Sequence, residues 1–257
     1  LGDVYKRQNL LRSGRKKVIL VDHNEKNQAV NGIEDTEILE IIDHHRLGPI
    51  QTITPVFFRN QPLGCTGTII YKMYQEAGIE IEPVIAGLMC SAIISDTLIF
   101  KSPTCTTDDI EAATELARIA GIDPEVYGRE MFGAGSNLDE KTDREIFYQD
   151  FKKFTINDVT IGIGQANAMG PEDIEKIKLK ELPFIDTVVG DGGLDVVYFL
   201  MTDISAECSY VLCSGKNADT IMTLSFGVDK QKDTYILKNV VSRKKQFLPA
   251  IMEAMEQ

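Results

Sequence analysis

Short, unbroken apolar runs alternate with amphipathic stretches through the first half of the chain. Lys16 and Lys17 lead into Val18-Ile19-Leu20-Val21, which stops in Asp22-His23-Asn24-Glu25. A continuous apolar run this short predicts a strand buried on both faces, as in a parallel sheet. Ile38 to Ile42 repeats the pattern and stops in Asp43-His44-His45-Arg46. Both strands finish in an Asp-His step. Functional sites of open α/β sheets lie beyond the carboxyl ends of the strands.

Helical periods follow. Thr66 to Ala77 aligns Ile69, Ile70, Met73, Tyr74 and Ala77, with Gly78 as its stop. Pro83 opens a helix through Ala86, Leu88, Met89, Ala92 and Ile93 that ends near Ser95-Asp96-Thr97. Being apolar nearly all round, it is expected to be buried. Thr107-Asp108-Asp109 caps a helix that ends at Gly121, and Asp123-Pro124 starts a short one. Gly133-Ala134-Gly135-Ser136-Asn137 interrupts the helical pattern and reads as a linker. Beyond it the pattern predicts a helix from about Asp139 to Lys153 and a hairpin over Phe154 to Asn167 turning at Asn157-Asp158. A helix opened by Gly170-Pro171 comes next. Strands are predicted near Asp195 to Thr202, Ser209 to Ser214 and Thr220 to Phe226, and a last helix over Gln246 to Met255. An α/β lobe with a parallel sheet is thus followed by a smaller α+β lobe.

The 257 residues are enough for two such lobes. Lys plus Arg number 27 and Asp plus Glu 39, a formal charge of -12. Such a chain repels a nucleic-acid backbone at long range, so nucleic acid is excluded as a general partner. No run approaches the ~20 apolar residues of a membrane helix, so no membrane partner is expected. Leu1 to Asn9 has no signal-peptide core. Five cysteines without a CxxC pair predict reduced, mostly buried thiols in a cytoplasmic protein. The chain does not begin with Met, and residues 1–14 show no helix or strand period. They read as a junction or the remnant of an upstream segment.

All three histidines fall between His23 and His45, at strand ends. Turn imidazoles would be the ordinary reading of one Asp-His step; two on neighbouring strands favour a catalytic cluster. Carboxylate and imidazole without thiolate suit Mn²⁺, Mg²⁺ or Co²⁺. Two cations held ~3.5–4 Å apart can acidify a bridging water, and Asp22 is a candidate bridge between them. In extended chain His44 and His45 point to opposite sides, one toward metal and one toward substrate. Asp96 ends a buried helix, where it is either a ligand or a cap. Arg243-Lys244-Lys245, inside Val240 to Gln246, is a basic triplet in an acidic chain. It is either a solvated face or an anion site at a helix start. Gly162-Ile163-Gly164 and Gly190-Asp191-Gly192-Gly193 lack dinucleotide-loop spacing and read as turns. Lys101 reads as a surface residue.

Val21-Asp22-His23-Asn24-Glu25, Asp43-His44-His45-Arg46, Ser95-Asp96-Thr97 and Ser242-Arg243-Lys244-Lys245-Gln246 occur in the order and at spacings that resemble family II inorganic pyrophosphatases. These are manganese- or cobalt-dependent members of the DHH phosphoesterase superfamily. The resemblance runs from about Arg15 to the end and takes in Leu63-Gly64-Cys65-Thr66 and Phe100-Lys101-Ser102-Pro103-Thr104. It implies a DHH domain over 15–133, a linker over 134–138 and a DHHA2 domain over 139–257, with the active site in the interdomain cleft. It implies hydrolysis of pyrophosphate to two phosphates by a metal-activated water, with two or more ions per complete site. Asp22 resembles the carboxylate bridging both metals, and His44 and Asp96 resemble ligands of the second. His45 resembles the histidine that contacts substrate and protonates the leaving phosphate. Arg243 and Lys244 resemble the phosphate clamp, and Lys152, next to Lys153, a further phosphate-binding lysine. A homodimer is the expected assembly.

One motif departs from the family. Its opening His-x-Asn-Pro-Asp-x-Asp strand has no counterpart in this sequence, which leaves the first metal only Asp22. The polypeptide is therefore expected to be the larger part of an enzyme and incomplete for activity. Some members carry paired CBS domains, which bind adenine nucleotides, before the segment resembling Arg15-Lys16-Lys17-Val18. Asn9-Leu10-Leu11-Arg12 looks like the end of such an insert. Two rivals stand beside this reading. One is a DHH phosphodiesterase acting on short oligonucleotides or cyclic dinucleotides; the absence of histidine from the second lobe speaks against it. The other is a catalytically incompetent fragment or anion-binding protein.

Overall fold

The computed structural model describes residues 17–136, 138–191 and 193–256. The expected junction at 1–14, with Asn9 to Arg12, lies outside the described residues, as do Arg15, Lys16, Asn137 of the linker and Gly192. The chain divides into two compact units. One takes the described residues through Phe100 together with Thr104–Gly128; the other takes Lys101–Pro103 and Arg129 onward.

In the first unit β1 (Lys17–Val21), β2 (Glu37–Asp43) and β3 (Phe57–Asn60) form a parallel sheet in that order. Parallel pairing puts the Asp22 and Asp43 ends side by side, with Val21 opposite Ile42. β1 is not buried on both faces as its apolar run predicts: Ile19 is 50% and Val21 43% exposed. Among the described residues β1 pairs only with β2, so it is an edge strand that covers the core through buried Leu20 and half-buried Val18. Helices α1 (Thr66–Ala77), α2 (Pro83–Asp96) and α3 (Thr107–Ala120) pack together. Gly78 and Gly121 close α1 and α3 at φ 64° and 71°, the left-handed conformation a glycine stop requires. The side of α2 carrying Ala86, Cys90, Ile93 and Ile94 is buried. Val84 and Leu88 are exposed, so α2 is not covered all round: its neighbours α1 and α3 leave that stripe bare. Helix α4 (Pro124–Ser136) runs through the Gly133 to Ser136 segment without the expected interruption.

The second unit is a five-stranded mixed sheet ordered β4 (Phe151–Ile156), β5 (Val159–Ala168), β6 (Val196–Asp203), β7 (Cys208–Gly215) and β8 (Tyr235–Lys238). Only β5 and β6 pair in parallel. Helix α5 (Asp143–Gln149) precedes β4, α6 (Pro171–Asp191) links β5 to β6, α7 (Ala218–Phe226) links β7 to β8, and α8 (Leu248–Glu256) is the last described element. One sheet face packs Phe147, Ile177, Val188, Phe199 and Met201 under α5 and α6. The other packs Ile163, Tyr198, Leu200, Met222, Phe247 and Ile251 under α7 and α8. Central β6 is buried at every residue because both faces are covered.

Three local expectations are corrected here. α5 ends at Gln149, so Lys152 and Lys153 lie on β4 rather than in a helix; Asp150 takes a non-helical φ of -134° and releases the chain into the strand. Gly162 and Gly164 are paired residues inside β5, not turns. Both are glycine because the aromatic rings of Phe151 and Phe199 would lie 2.7 Å from an added Cβ. Residues 220–226 are helical, because Ala218, Ile221 and Met222 pack one helical face onto the sheet. The hairpin turn does fall at Asn157 and Asp158, both at positive φ.

Candidate active site

Asp22 is the first residue beyond β1. Its φ of 67° turns the chain sharply, while its N–H still donates to the Ile42 carbonyl at 3.0 Å. The carboxylate therefore sits over the end of β2. Its Oδ1 accepts from Thr66 Oγ1 at 2.9 Å, at the first turn of α1, and lies 3.4 Å from His44 Nε2. His44 Nδ1 is 2.9 Å from the Leu63 carbonyl. That contact assigns a ring proton to Nδ1 and directs Nε2 toward Asp22: protonated, Nε2 donates to the carboxylate, and neutral, it offers the lone pair that a metal-ligating histidine uses.

His45 is held differently. Its Nδ1 is 2.8 Å from Oδ1 of Asp43, which is fully buried. The same oxygen accepts from the backbone N–H of His44 at 2.8 Å and of His45 at 3.2 Å. Those bonds bend the chain after β2, so the imidazoles do not point to opposite sides as in extended chain. Their centroids stand 4.2 Å apart, edge to face. Ligand atoms of Asp22, His44 and His45 all lie within 4.8 Å of one another. Asp96, at the end of α2, joins them through its field on Asp22 and His44 and a hydrogen bond with Cys65, the residue capping α1.

The electrostatics fit a cation. Burial alone would raise the Asp22 carboxyl, but hydrogen bonds from His44 and Thr66 outweigh it and hold it below its ordinary value. Burial alone would lower His44; its bond to Asp22 and the Leu63 carbonyl raise it instead. Asp96 is crowded by protein, although its tip meets solvent. That crowding, followed by repulsion from Asp22, pushes it up against the lowering bond from Cys65. Two carboxylates that repel each other beside an imidazole Nε2 are the donor set that a divalent cation relieves. A metal ion therefore fits these residues.

His23 stays out of the cluster. Its Nδ1 lies 3.0 Å from the Val21 carbonyl, and its Nε2 is buried without a partner. Sequence reasoning assigns no role to Asn24, Asp43, Thr66 or the Leu63 carbonyl. All four lie inside motifs quoted above, but nothing along the chain marks Leu63 as a hydrogen-bond acceptor.

The basic candidates lie in the second unit. Arg243 opens a turn of π-helix, Arg243–Phe247, and its side chain is only 11% exposed. Nη2 donates to Asp150 Oδ1 at 2.8 Å, and Nη1 donates to the carbonyls of Asp150 and Ile163. Lys244 is exposed. Lys152, also exposed, pairs in register with Ile163 and so lies on the α7/α8 side of the sheet, whereas Lys153 lies on the α5/α6 side. Gln246 brackets the approach to Arg243: its Oε1 accepts from the N–H groups of Val241 and Ser242, and its Nε2 donates to the Asn239 carbonyl. Lys101 is spent on the carbonyls of Ile204 and Ser205, at 3.0 and 2.9 Å.

Parallel strands ending in an Asp–His–His–Asp cluster, followed by a mixed-sheet unit, define a DHH-type phosphoesterase architecture. Family models agree with it: residues 3–93 match the DHH family N-terminal domain and residues 129–254 the DHHA2 domain. The manganese-dependent inorganic pyrophosphatase of Bacillus subtilis is 46% identical over 238 residues, which cover 93% of this chain and 77% of the relative. The cobalt-dependent inorganic pyrophosphatase of Clostridium perfringens is 47% identical over 247 residues; the match takes in 96% of this chain but only 45% of that relative's length. A solved structure from Methanococcus jannaschii, assigned to family II inorganic pyrophosphatases, superposes with a TM-score of 0.73 at 36% identity and covers 94% of this chain and 80% of its own. The chain belongs to the family II inorganic pyrophosphatases. Among the described residues no helix is long and apolar enough to cross a membrane.

Proposed function

We propose that this chain carries the larger part of the machinery that hydrolyses inorganic pyrophosphate to two phosphates with Mn²⁺ or Co²⁺ as cofactor, the ligands of the opening His-x-Asn-Pro-Asp-x-Asp motif being the part it lacks. The observation that carries this reading is the convergence of Asp22, His44 and His45 within 4.8 Å, with Asp96 beside them. Asp22, His44 and Asp96 would hold metal, with Asp22 as the bridge between two ions. A bound divalent ion supplies Lewis acidity, making water a better nucleophile and neutralising charge on the phosphoryl group.

The chain's own residues do the rest. In hydrolysis a water oxygen bonds to one phosphorus as the anhydride P–O bond breaks, and the leaving phosphate needs a proton. Asp43 holds the His45 Nδ1–H, so Nε2 is the atom that gives that proton. The buried Asp43 carboxylate stabilises the imidazolium that precedes the transfer. Arg243, Lys244 and Lys152 would bind phosphate oxygens, so that charge is met by positioned donors.

The test is phosphate release in Mn²⁺ by the chain alone and with the missing His-x-Asn-Pro-Asp-x-Asp segment restored, with pyrophosphate set against a dinucleotide and a cyclic dinucleotide, and Mn²⁺ binding measured by calorimetry. Pyrophosphate should have the highest kcat/KM, and His44→Ala should weaken Mn²⁺ binding about 10–100-fold. Preferred cleavage of either nucleotide, or unchanged Mn²⁺ binding in the variant, overturns the reading.

Finer properties are proposed on the same basis. The five cysteines, all free thiols, support a reducing, cytoplasmic setting. A homodimer follows from the family resemblance, and sedimentation of the protein tests it; adenine-nucleotide control would act through a CBS insert absent from this chain, and titration with AMP of the parent enzyme carrying such an insert tests that.

A further inference from the structure

We infer that Asp150 is the positioning residue for Arg243, fixing the guanidinium so that one edge of its fork stays open for a phosphate. This rests on the proposed role of Arg243 as a phosphate ligand. Ninety-three positions separate the two residues in the chain. An arginine has five N–H donors. Asp150 Oδ1 takes one from Nη2, and the carbonyls of Asp150 and Ile163 take the two on Nη1. What remains is Nε–H and the second Nη2–H, which donate no hydrogen bond among the described residues. Those two share one edge of the guanidinium, the geometry that binds two oxygens of one phosphate.

Asp150 is well anchored for this work. It ends α5 in a non-helical conformation, and its carbonyl also accepts from the Gln165 N–H at 3.1 Å. It thereby ties α5, β5 and the π-turn to one point, two residues before Lys152. The guanidinium side chain is 11% exposed while the Asp150 side chain is 51% exposed. The acid is thus no buried counter-ion that the fold needs for neutrality; its oxygen sets where an otherwise swinging arginine points. Its hydrogen bonds go to Arg243 and the Gln165 N–H, both in its own unit, so it acts through Arg243.

The test is a double-mutant cycle on the whole chain, with Mn²⁺-imidodiphosphate, a non-hydrolysable pyrophosphate analogue, as the probe. Asp150→Ala should raise its Kd about tenfold, and raise KM for pyrophosphate more than it lowers kcat. Asp150→Asn keeps an oxygen at the same place and should recover most of the affinity. In an Arg243→Ala background Asp150→Ala should add nothing. Melting temperatures of all variants separate positioning from misfolding. Additive losses, or an Asn variant as weak as the Ala variant, overturn the positioning role while leaving the phosphate role of Arg243 standing. Unchanged binding in Arg243→Ala alone overturns that phosphate role, and this inference with it.

Discussion

Asp43 Oδ1 lies 2.8 Å from His45 Nδ1, and Asp43 is fully buried while the His45 side chain is 36% exposed. A buried carboxylate thus grips one nitrogen of a ring that is itself partly open to solvent. Burial alone would raise the Asp43 carboxyl; hydrogen bonds from His45 and Asn24 more than offset it and hold the pKa low, so Asp43 is an anion at neutral pH.

Asp43→Asn keeps the shape and removes that charge. We expect kcat to fall about 10–100-fold with little change in KM, because the imidazolium loses its stabiliser and the ring its fixed tautomer. Steady-state kinetics on the folded variant checks this. An unchanged kcat would remove His45 from the leaving group's proton path.

Asp109 reaches the site from further away. It is fully buried and accepts from Gly64 N at 2.8 Å, Thr68 Oγ1 at 2.5 Å, Thr106 N at 2.8 Å and Thr106 Oγ1 at 2.6 Å. One carboxylate therefore caps α3 and pins the β3–α1 loop, whose Leu63 carbonyl orients His44. Asp109→Ala should cost about 2–4 kcal/mol in urea unfolding, from the donors left unpaired, and should weaken Mn²⁺ binding as His44 loosens. Lost stability with intact Mn²⁺ affinity would separate the loop from the metal site.

Gly164→Ala probes the sheet. The added Cβ would meet the Phe199 ring at 2.7 Å and the Phe147 carbonyl at 2.9 Å, and a carbonyl inside a packed sheet cannot swing away. Destabilisation of about 1–3 kcal/mol is expected. At Gly162 the near atoms are the side chains of Phe151 and Leu194, which can shift, so Gly162→Ala should cost less. Chemical denaturation of both variants gives the order.

Much of the candidate site was legible because its residues come in clusters along the chain. Asp22, His44 and His45 follow two apolar strands whose ends parallel pairing must bring together, and Asp96 ends a helix. What could not be read depends on partners far apart. Gly162 and Gly164 look like a turn until the aromatic layer of Phe147, Phe151 and Phe199 fills the space beside them. Thr220, Ile221 and Thr223 favour a strand by propensity, yet the spacing of Ala218, Ile221 and Met222 makes the segment a helix once a sheet lies beneath it. The exposure of Ile19 and Val21 is invisible in an apolar run, since it depends on what covers the strand.

Glu181 carries the pH prediction. It is fully buried on α6 between Ile177 and Ile185, and neither carboxylate oxygen has a partner. Burial, and then the nearby Asp143, push its pKa up to about 8 against the milder pull of Lys180. Lys180 itself donates to the Leu138 and Lys141 carbonyls. A carboxyl whose folded pKa exceeds its unfolded value binds more protons in the native state, so stability falls as pH rises. The contribution is complete below the ordinary carboxyl range and is lost as pH rises toward about 8. Each unit of difference is worth about 1.4 kcal/mol. Glu181→Leu, which continues the apolar stripe, should raise the melting temperature, by more at pH 8 than at pH 5. Thermal melts across that range check the slope, and an equal gain at both ends would mean that Glu181 does not titrate there.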